Sequence, residues 1–289
     1  MQVKRVAIFG VGLLGGSIGL ALRAVAPGCQ IVGYGHRQST LDHARGIGAI
    51  DQSFTSPTAA AEGADLVILC TPVAIFPSLL QQLAPALSAK AVVTDVGSTK
   101  RSVVRAAEAV LTPGRGAFVG SHPMAGSEKR GVEFARTDLF QGARCIVTPS
   151  DRTDAAALQA VEGFWRSLGM NVVRLSPEEH DRLVCDVSHL PHAVAAALVA
   201  MQQDPALALA GKGFLDTTRI AGGDGSLWRD ILQDNRDNLA ASLKRFSATL
   251  AELVELLEPD QAQALANWLD AAGERRAKLL AEKLKELDG

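Results

Sequence analysis

Short apolar runs rich in β-branched residues alternate with longer Ala- and Leu-rich stretches through the first part of the chain. The runs have the length and composition of buried strands, and in order they read VKRVAIFG, QIVGYG, ADLVILCT, AKAVVTDVGS, GAFVGS, GARCIVTP and NVVRLS. The stretches between them, such as residues 78–87 and 101–111, have helical length. Strands that alternate with helices are joined by right-handed crossovers. The pattern therefore predicts an α/β fold with a doubly wound, mostly parallel sheet.

The pattern changes near residue 175, after which almost nothing favours a strand. The sequence SPEE, residues 176–179, is a capping box with proline at the first helical position, and it predicts the start of a long helix. Further on, apolar residues recur at steps of three and four positions, as on one face of a helix: Leu239, Leu243, Phe246, Leu250, Leu253 and Leu257. Pro259 then restarts a helix. We predict an α/β domain at 1–175 and an all-α domain at 176–289.

The sequence GVGLLG begins at Gly10, directly after the first predicted strand, and it opens a helix. In that context the motif is typical of a Rossmann-type dinucleotide site. Gly10 permits a tight turn, Gly12 lets a pyrophosphate approach the backbone, and Gly15 allows the helix to pack closely on the strand. The first helical turn, with Leu13 and Leu14, offers N–H groups to the phosphates. The alternative is a turn with a purely structural role.

The segment after the second strand predicts the choice of cofactor. This strand usually ends in Asp or Glu, which binds the ribose hydroxyls of NAD, but here no carboxylate appears before Asp42. Arg37 instead supplies a fixed cation that suits a 2′-phosphate. The segment thus favours NADP, with NAD possible; the alternative is that Arg37 is a solvated loop charge. The predicted cofactor contacts here are Gly35, His36, Arg37, Ser39 and Thr40.

The composition is that of a soluble globular protein, with 47% of the 289 residues hydrophobic and 21% charged. The formal net charge of −2 lacks the basic excess of a nucleic-acid surface, so we expect no nucleic-acid partner. Glycines divide the longest uncharged run, residues 6–22, into strand, turn and helix, so we expect no membrane partner.

The cysteines and histidines add to this picture. Each cysteine stands singly among apolar neighbours, which is typical of a reduced, cytoplasmic protein: Cys29, Cys70, Cys145 and Cys185. The six histidines include one close pair, His189 and His192, too few ligands for a metal site. We therefore expect a cytoplasmic protein without a bound metal.

Two predicted strand ends carry candidate chemistry. Ser98 follows one strand in DVGSTK, and His122 follows another in GSHPMAG, where Pro123 and Gly126 oppose a helix. Ligands of a parallel sheet lie beyond the carboxyl ends of its strands. Hydride transfer to a nicotinamide needs a base near the hydroxyl that is oxidised. We interpret His122 as that base, placed just where its strand stops; the alternative is a histidine that caps the strand.

Together these motifs resemble the prephenate and arogenate dehydrogenases of tyrosine biosynthesis. The matching segments occur in order along nearly the whole chain: GVGLLGGSIGLALR, LCTPV, TDVGSTK, GSHPMAGSEKRG, SHLPHAVAAAL and DTTRIAGGDGSLWRD. The resemblance implies a Rossmann domain followed by a helical dimerisation domain, and hence a homodimer acting on a small-molecule substrate. It further implies that Cys70, Thr71 and Pro72 of LCTPV contact the cofactor.

The resemblance also implies roles for individual side chains. His122 would draw the proton from the C4 hydroxyl of a cyclohexadienol as hydride leaves and carbon dioxide departs, and Ser98 would support it. Arg219 would hold a substrate carboxylate, a task that suits the guanidinium fork. His189 and Trp228 would complete the pocket; the alternatives are a helix-packing histidine and an ordinary core tryptophan.

Glu128 is the predicted determinant of substrate choice. It lies six residues beyond His122, and a carboxylate there would attract the ammonium group of arogenate, which prephenate lacks. The alternative is that Glu128 pairs with Arg130 or Arg136 at the surface. No chorismate mutase segment or ACT-type domain is recognisable in the sequence, so we expect any feedback inhibition by tyrosine to act at or near the active site.

Two other functions remain open. A β-hydroxyacid dehydrogenase also combines a Rossmann domain with a helical one, but that family relies on a lysine where this chain carries SHLPH. A non-catalytic NADP-binding regulator would have no need of His122, Ser98 and Arg219 together. Formation of NADPH with prephenate or arogenate would distinguish the three functions.

Overall fold

The computed structural model describes residues 3–112, 114–126 and 129–288, with 283–288 described through their backbone alone. The chain forms two compact units, Met1–Asn235 and Arg236–Gly289.

An eight-stranded sheet forms the centre of the first unit, in the order β3-β2-β1-β4-β5-β6-β7-β8. Neighbouring strands are parallel except β6 and β7, which are antiparallel. The predicted doubly wound, mostly parallel sheet is therefore confirmed. The strands are β1 (Arg5–Phe9), β2 (Gln30–Tyr34), β3 (Gln52–Phe54), β4 (Leu66–Leu69), β5 (Val92–Asp95), β6 (Ala117–Pro123), β7 (Arg144–Thr148) and β8 (Asn171–Arg174).

Helices cover both faces of this sheet. Alternate residues of β1 point to opposite faces, so Val6 and Ile8 belong to one core cluster and Ala7 and Phe9 to the other. The uncharged run 6–22 divides into β1 and α1, as the glycines predict. The helices before residue 176 are α1 (Leu13–Val25), α2 (Gln38–Gly46), α3 (Pro57–Ala61), α4 (Phe76–Leu83), α5 (Arg101–Val110) and α6 (Ala155–Ser167).

Two features of the sheet differ from the sequence prediction. The short strand β3 is missing from it, because Gln and Ser make QSF look like a loop. The prediction that a strand stops before His122 is wrong. Strand β6 continues to Pro123, because residues 117–119 pair with β5 and residues 120–123 pair with β7. His122 thus lies inside the sheet, opposite Ile146.

A long helical segment follows the sheet and begins where the capping box predicts. The N–H of Glu179 donates to Oγ of Ser176 at 3.2 Å, and Oε2 of Glu179 accepts from the N–H of Ser176 at 3.2 Å. The segment consists of α7 (Pro177–Val184), one π-helical turn (Cys185–His189) and α8 (Leu190–Ala200). By length and apolar composition, residues 177–200 would also suit a membrane span, a test that core helices of soluble proteins pass as well.

Short helices complete the first unit, and long ones form the second. The first unit ends with α9 (Asp204–Leu207), α10 (Lys212–Thr218), a 3-10 turn (Arg219–Gly222) and α11 (Gly225–Asp234). The second contains α12 (Arg236–Glu255), a 3-10 turn (Pro259–Gln261) and α13 (Ala262–Asp288). The restart at Pro259 is confirmed. Within the second unit Leu250, Val254 and Leu257 are exposed.

Candidate active site

The glycine loop forms an open cradle at the carboxyl end of β1. Gly10 has φ +100° and donates its N–H to the carbonyl of Tyr34 at 2.9 Å. A Cβ on Gly15 would lie 2.1 Å from the Gly10 carbonyl oxygen, so only glycine lets α1 approach this closely. A Cβ on Gly12, the residue before α1, would meet nothing within 4 Å. The N-terminus of α1 is thus accessible beside Gly12, as a bound phosphate group requires.

The turn after β4 borders the same cradle. A Cβ on Gly10 would lie 2.8 Å from the carbonyl oxygen of Cys70 and 3.0 Å from Cγ2 of Thr71. The N–H of Cys70 donates to the carbonyl of Phe9 at 2.7 Å, and Pro72 follows as an exposed residue. The strand order runs from β1 to β2 on one side of the sheet and continues from β4 on the other, so it reverses between β1 and β4. Ligands of parallel sheets bind at such a switch point. The loop residues present therefore fit a dinucleotide.

The segment after β2 presents a cation and two hydroxyl-bearing residues. Arg37 is exposed and precedes α2, and Ser39 and Thr40 lie in the first turn of that helix. His36 Nε2 lies 3.4 Å from the hydroxyl of Tyr34. Asp42 lies one turn further into α2, where it accepts a hydrogen bond from Gln38 at 2.9 Å. The N–H of Gly35 donates to the carbonyl of Phe54 at 3.2 Å, which fixes the backbone ahead of Arg37.

His122 begins a buried chain of hydrogen-bonded side chains. Its Nδ1 lies 2.9 Å from Nε2 of His180 on α7. Nδ1 of His180 in turn lies 2.8 Å from Oδ1 of Asp181. None of the three residues is more than 8% exposed. A histidine of the sheet is therefore linked to a carboxylate of the first helix after it.

Asp181 also binds the N-terminus of α5. Its Oδ1 accepts the N–H of Lys100 at 2.7 Å, and its Oδ2 accepts the N–H and Nε of Arg101 at 3.0 and 3.1 Å. Burial would raise the pKa of the Asp181 carboxyl, but hydrogen bonds from His180 and from these backbone groups outweigh it and the pKa is lowered. The carboxylate is thus ionised and positioned from three sides.

Both rings of the histidine chain are neutral near neutral pH. Burial holds the pKa of His122 well below its ordinary value, and the charges of His180, Lys100 and His189 act in the same direction. Burial also lowers the pKa of His180, against the opposing effect of its hydrogen bond to Asp181. Each neutral ring has one N–H donor and one nitrogen acceptor.

A buried ion pair closes the turn between β5 and α5, and its carboxylate also binds the backbone of β6. Nζ of Lys100 donates to Oδ2 of Asp95, and both side chains are fully buried. Asp95 also accepts the N–H groups of Gly97 at 2.8 Å and Ser121 at 3.0 Å. Ser98 lies half-buried in the same turn between β5 and α5. The sheet thus brings the turn that carries Ser98 next to the strand that carries the predicted base.

His189 is buried on the π-helical turn. The amide nitrogen of Asn235 lies 3.1 Å from its Nδ1, and Asn235 also donates to the carbonyl of Asp181 at 2.7 Å. Burial lowers the pKa of His189 to about 4, with Asp181 and the backbone of Ser98 acting in the opposite direction. Its Nε2 is buried without a well-formed hydrogen bond to the described residues. Because Asn235 donates to Nδ1, Nε2 carries the proton and is directed at the backbone of Ser98.

A second histidine faces the predicted tryptophan. The ring of His192 stacks on Trp228, and the ring of His189 meets Trp228 edge-on with centroids 6.3 Å apart. His192 is 6% exposed, and its Nδ1 also has no hydrogen-bond partner within the described ranges. His192, His189 and Trp228 therefore form one polar and aromatic group on α8, the π-helical turn and α11.

Arg219 lies on the turn between α10 and α11, and the loop after β6 reaches Asp224 at the start of α11. Arg219 is exposed at the start of the 3-10 turn that packs against α8. Arg130 forms an ion pair with Asp224, the residue that caps α11 ahead of Trp228. Glu128, the predicted reader of an ammonium group, lies outside the described residues.

Sequence reasoning missed four members of this site: His180, Asp181, His192 and Asn235. The spacing of His189 and His192 places both on one helix face, a signal that could have indicated a shared role for them. His180 and Asp181 adjoin the capping box, where polar residues are ordinary, and no local pattern marks them.

Comparisons with known proteins match both parts of the chain to one family. The family described as "Prephenate dehydrogenase, nucleotide-binding domain" matches residues 18–174, and "Prephenate dehydrogenase, dimerization domain" matches residues 176–271. The prephenate dehydrogenase of Bacillus subtilis is 37% identical over 281 residues, covering 94% of this chain and 75% of the relative. The cyclohexadienyl dehydrogenase of Zymomonas mobilis is 33% identical and covers 86% of this chain and 87% of the relative.

Solved structures show the same likeness. A prephenate dehydrogenase from Aquifex aeolicus, in complex with hydroxyphenyl propionate and NAD+, has a TM-score of 0.91 at 37% identity and covers 96% of this chain and 99% of its own. A Synechocystis arogenate dehydrogenase has a TM-score of 0.82 at 31% identity, with 95% and 99% coverage. The likeness thus extends over both the sheet and the helices.

Proposed function

The chain belongs to the prephenate dehydrogenase family, and we propose that it catalyses the NAD(P)-dependent oxidative decarboxylation of a cyclohexadienol in tyrosine biosynthesis. The observation that carries the proposal is the buried His122, held at the carboxyl end of the sheet by His180 and Asp181. Its neutral ring can accept a proton.

His122 accepts the proton of the ring C4 hydroxyl in this reaction. The bound nicotinamide supplies the hydride acceptor. As C4 becomes a carbonyl, the bond between C1 and the ring carboxylate breaks and carbon dioxide leaves. The electrons of that bond pass through the ring to the C4 oxygen, so the ring becomes aromatic as a phenolate, which takes a proton back from His122. Arg219 holds a substrate carboxylate, while His189 and Trp228 shape the pocket. Ser98, in the turn after β5, supports the hydroxyl or His122.

NADP is the proposed cofactor. Arg37 is an exposed cation at the start of α2, followed by two hydroxyl-bearing residues. The next carboxylate along the chain, Asp42, lies further into that helix. A 2′-phosphate carries negative charge, which such a cation attracts. The dinucleotide domain is proposed to span residues 1–175, and the helical domain residues 176–289.

Arogenate is proposed to be at least a competent substrate, with prephenate as the second candidate. The support is Glu128, whose carboxylate matches the ammonium group that distinguishes arogenate. Arg130, one of the surface partners considered for Glu128, is engaged by Asp224.

A homodimer is the proposed assembly, formed mainly through residues after 176. The match to a dimerization domain supports it, as does the exposure of Val187, Met201 and Leu209, each more than 70% exposed. Light scattering at micromolar concentration should give twice the chain mass, and a monomer would contradict the assembly. None of the four cysteines forms a disulfide bond, in keeping with a reduced, cytoplasmic location.

The test is a side-by-side assay of the purified protein. Reduced cofactor is measured with prephenate and with arogenate, each with NADP and NAD, for the unmodified protein and Glu128→Gln. We expect decarboxylating activity with at least arogenate, and a lower arogenate-to-prephenate ratio in Glu128→Gln. Absence of activity with both substrates would overturn the proposed function, whereas an unchanged ratio would overturn only the role of Glu128.

A further inference from the structure

A general base of the imidazole type needs its unprotonated nitrogen on the side of the substrate. A neutral histidine has two tautomers, and the proton can lie on either ring nitrogen. In water the two differ little in free energy, so a protein must select one by hydrogen bonds. The role of His122 as base rests on the proposed function, but its tautomer is determined by groups that can be examined separately.

The direction of the hydrogen bonds follows from Asp181. Its ionised carboxylate can only accept, so Nδ1 of His180, at 2.8 Å from Oδ1, must carry the proton of that ring. Nε2 of His180 is then an acceptor. It lies 2.9 Å from Nδ1 of His122, which must therefore donate. This leaves Nε2 of His122 with the lone pair that accepts a proton.

Other hydrogen bonds keep the Asp181 carboxylate ionised, so it remains an acceptor for His180. Besides His180, it accepts the N–H groups of Lys100 and Arg101 at the N-terminus of α5, together with the Nε of Arg101. Positive partial charge at a helix N-terminus further favours the ionised form. Asn235 donates to the backbone carbonyl of Asp181 at 2.7 Å and accepts from Arg101 at 3.1 Å, so it anchors Asp181 and its partner Arg101 together.

We infer that His180 and Asp181 are positioning residues that fix the tautomer and orientation of His122. When His122 takes the hydroxyl proton on Nε2, its Nδ1–H remains bonded to His180, and the Asp181 carboxylate stabilises the charge through that ring. No bond to substrate forms at either residue. The arrangement extends the familiar histidine–carboxylate pair of hydrolases by one imidazole.

The first experiment compares kinetics of matched variants. His180→Leu removes the acceptor for His122, His180→Gln keeps an amide oxygen that can replace it, and Asp181→Asn removes the charge. Ser102→Ala is the control, because it breaks another contact of α5, the bond to Asp234 at 2.6 Å, without touching the histidines. We expect kcat to fall by roughly 10²–10⁴-fold in His180→Leu and Asp181→Asn, with substrate KM and cofactor Kd nearly unchanged.

His180→Gln should recover part of this loss, and Ser102→Ala should behave as the unmodified protein. A purely structural role would instead change KM, cofactor binding and kcat together. Unchanged kcat in both His180→Leu and Asp181→Asn would overturn the inference.

The second experiment reads the tautomers directly and needs no activity. Nitrogen NMR of protein labelled in its histidine rings, with the signals assigned by His122→Asn and His180→Leu, should show both rings protonated at Nδ1 near neutral pH. In Asp181→Asn the His122 ring should lose this fixed tautomer. Protonation of His122 at Nε2 in the unmodified protein would overturn the inference even if the enzyme is active. A protein inactive towards both substrates but with the expected tautomers would contradict the proposed function instead.

Discussion

His192 lies face to face with Trp228, with ring centroids 3.5 Å apart and planes inclined by 13°. The stack depends on the backbone of Gly223, where a Cβ would lie 2.5 Å from Nε1 of Trp228 and 2.9 Å from Cε1 of His192. A side chain at this position would therefore displace one ring.

Gly223→Ala should lower kcat/KM by roughly 10–10²-fold, because displaced pocket groups misplace the substrate. The matched control is Gly222→Ala, since a Cβ on Gly222 meets nothing within 4 Å. Steady-state kinetics with the better substrate measures both. Equal effects of the two substitutions would show that the stack does not shape the pocket.

His122→Asn should lower kcat by roughly 10²–10⁴-fold, the usual contribution of a general base. Cofactor binding should persist, because the predicted cofactor site consists of the glycine loop after β1 and the turn after β4, whereas His122 lies on β6. Titration of the cofactor by fluorescence, beside kinetics, separates the two properties. Near-normal turnover would exclude His122 as the base.

Lys100→Met should destabilise the protein by about 3–5 kcal/mol, because it leaves the buried Asp95 carboxylate without its cation. Burial already raises the pKa of Asp95, and Lys100 is the main group that opposes this shift. Urea unfolding at neutral pH gives the free energy. Arg136→Met, which breaks the exposed pair with Asp138, should change it little. A small effect at Lys100 would mean that Asp95 is satisfied by backbone groups alone.

The free energy of unfolding should decrease as the pH falls below the pKa of a histidine in the unfolded chain. His189 has a folded pKa of about 4, below the ordinary histidine value of 6.5, so the unfolded chain binds the proton first. The contribution of His189 to the free energy of unfolding is therefore complete above about pH 6.5, and it is lost progressively as the pH falls towards about pH 4. Burial lowers the pKa of His122, His180 and His192 in the same direction.

Urea unfolding at about pH 7 and about pH 5 should show this loss, and His189→Gln should reduce the difference between the two pH values. His43→Gln, at an exposed position on α2, is the surface control. A difference that is the same in His189→Gln and the unmodified protein would assign the pH dependence to other groups.

Gly35→Asp should shift the cofactor preference from NADP towards NAD, because the new carboxylate can bind the ribose hydroxyls and repels a 2′-phosphate. The site has room, since a Cβ on Gly35 would lie 3.4 Å from its nearest neighbour, Cδ2 of Leu41. The ratio of kcat/KM for the two cofactors is the measurement. A preference for NAD in the unmodified protein would contradict our interpretation of Arg37.

Local patterns in the sequence predicted much of the fold. The glycine motif after β1 and the capping box at Ser176 involve neighbours in the chain, and both occur where predicted. Contacts between residues that are distant in the chain could not be predicted from such local patterns. His122 and His180 are 58 residues apart, and only the packing of α7 near β6 brings their rings together. The extension of β6 to Pro123 likewise depends on β7, a partner that the residues around His122 do not encode.

The change of partner along β6 has an evolutionary consequence. The main chain that carries His122 is part of the sheet, paired across from Ile146, and its position is inherited with the hydrophobic core. The side chain that binds it, His180, lies on α7 outside the sheet, and Trp228 on α11 and Arg219 before it lie outside the sheet as well. Selection can therefore change which molecule is recognised by replacing helical residues, while His122 keeps its position in the sheet.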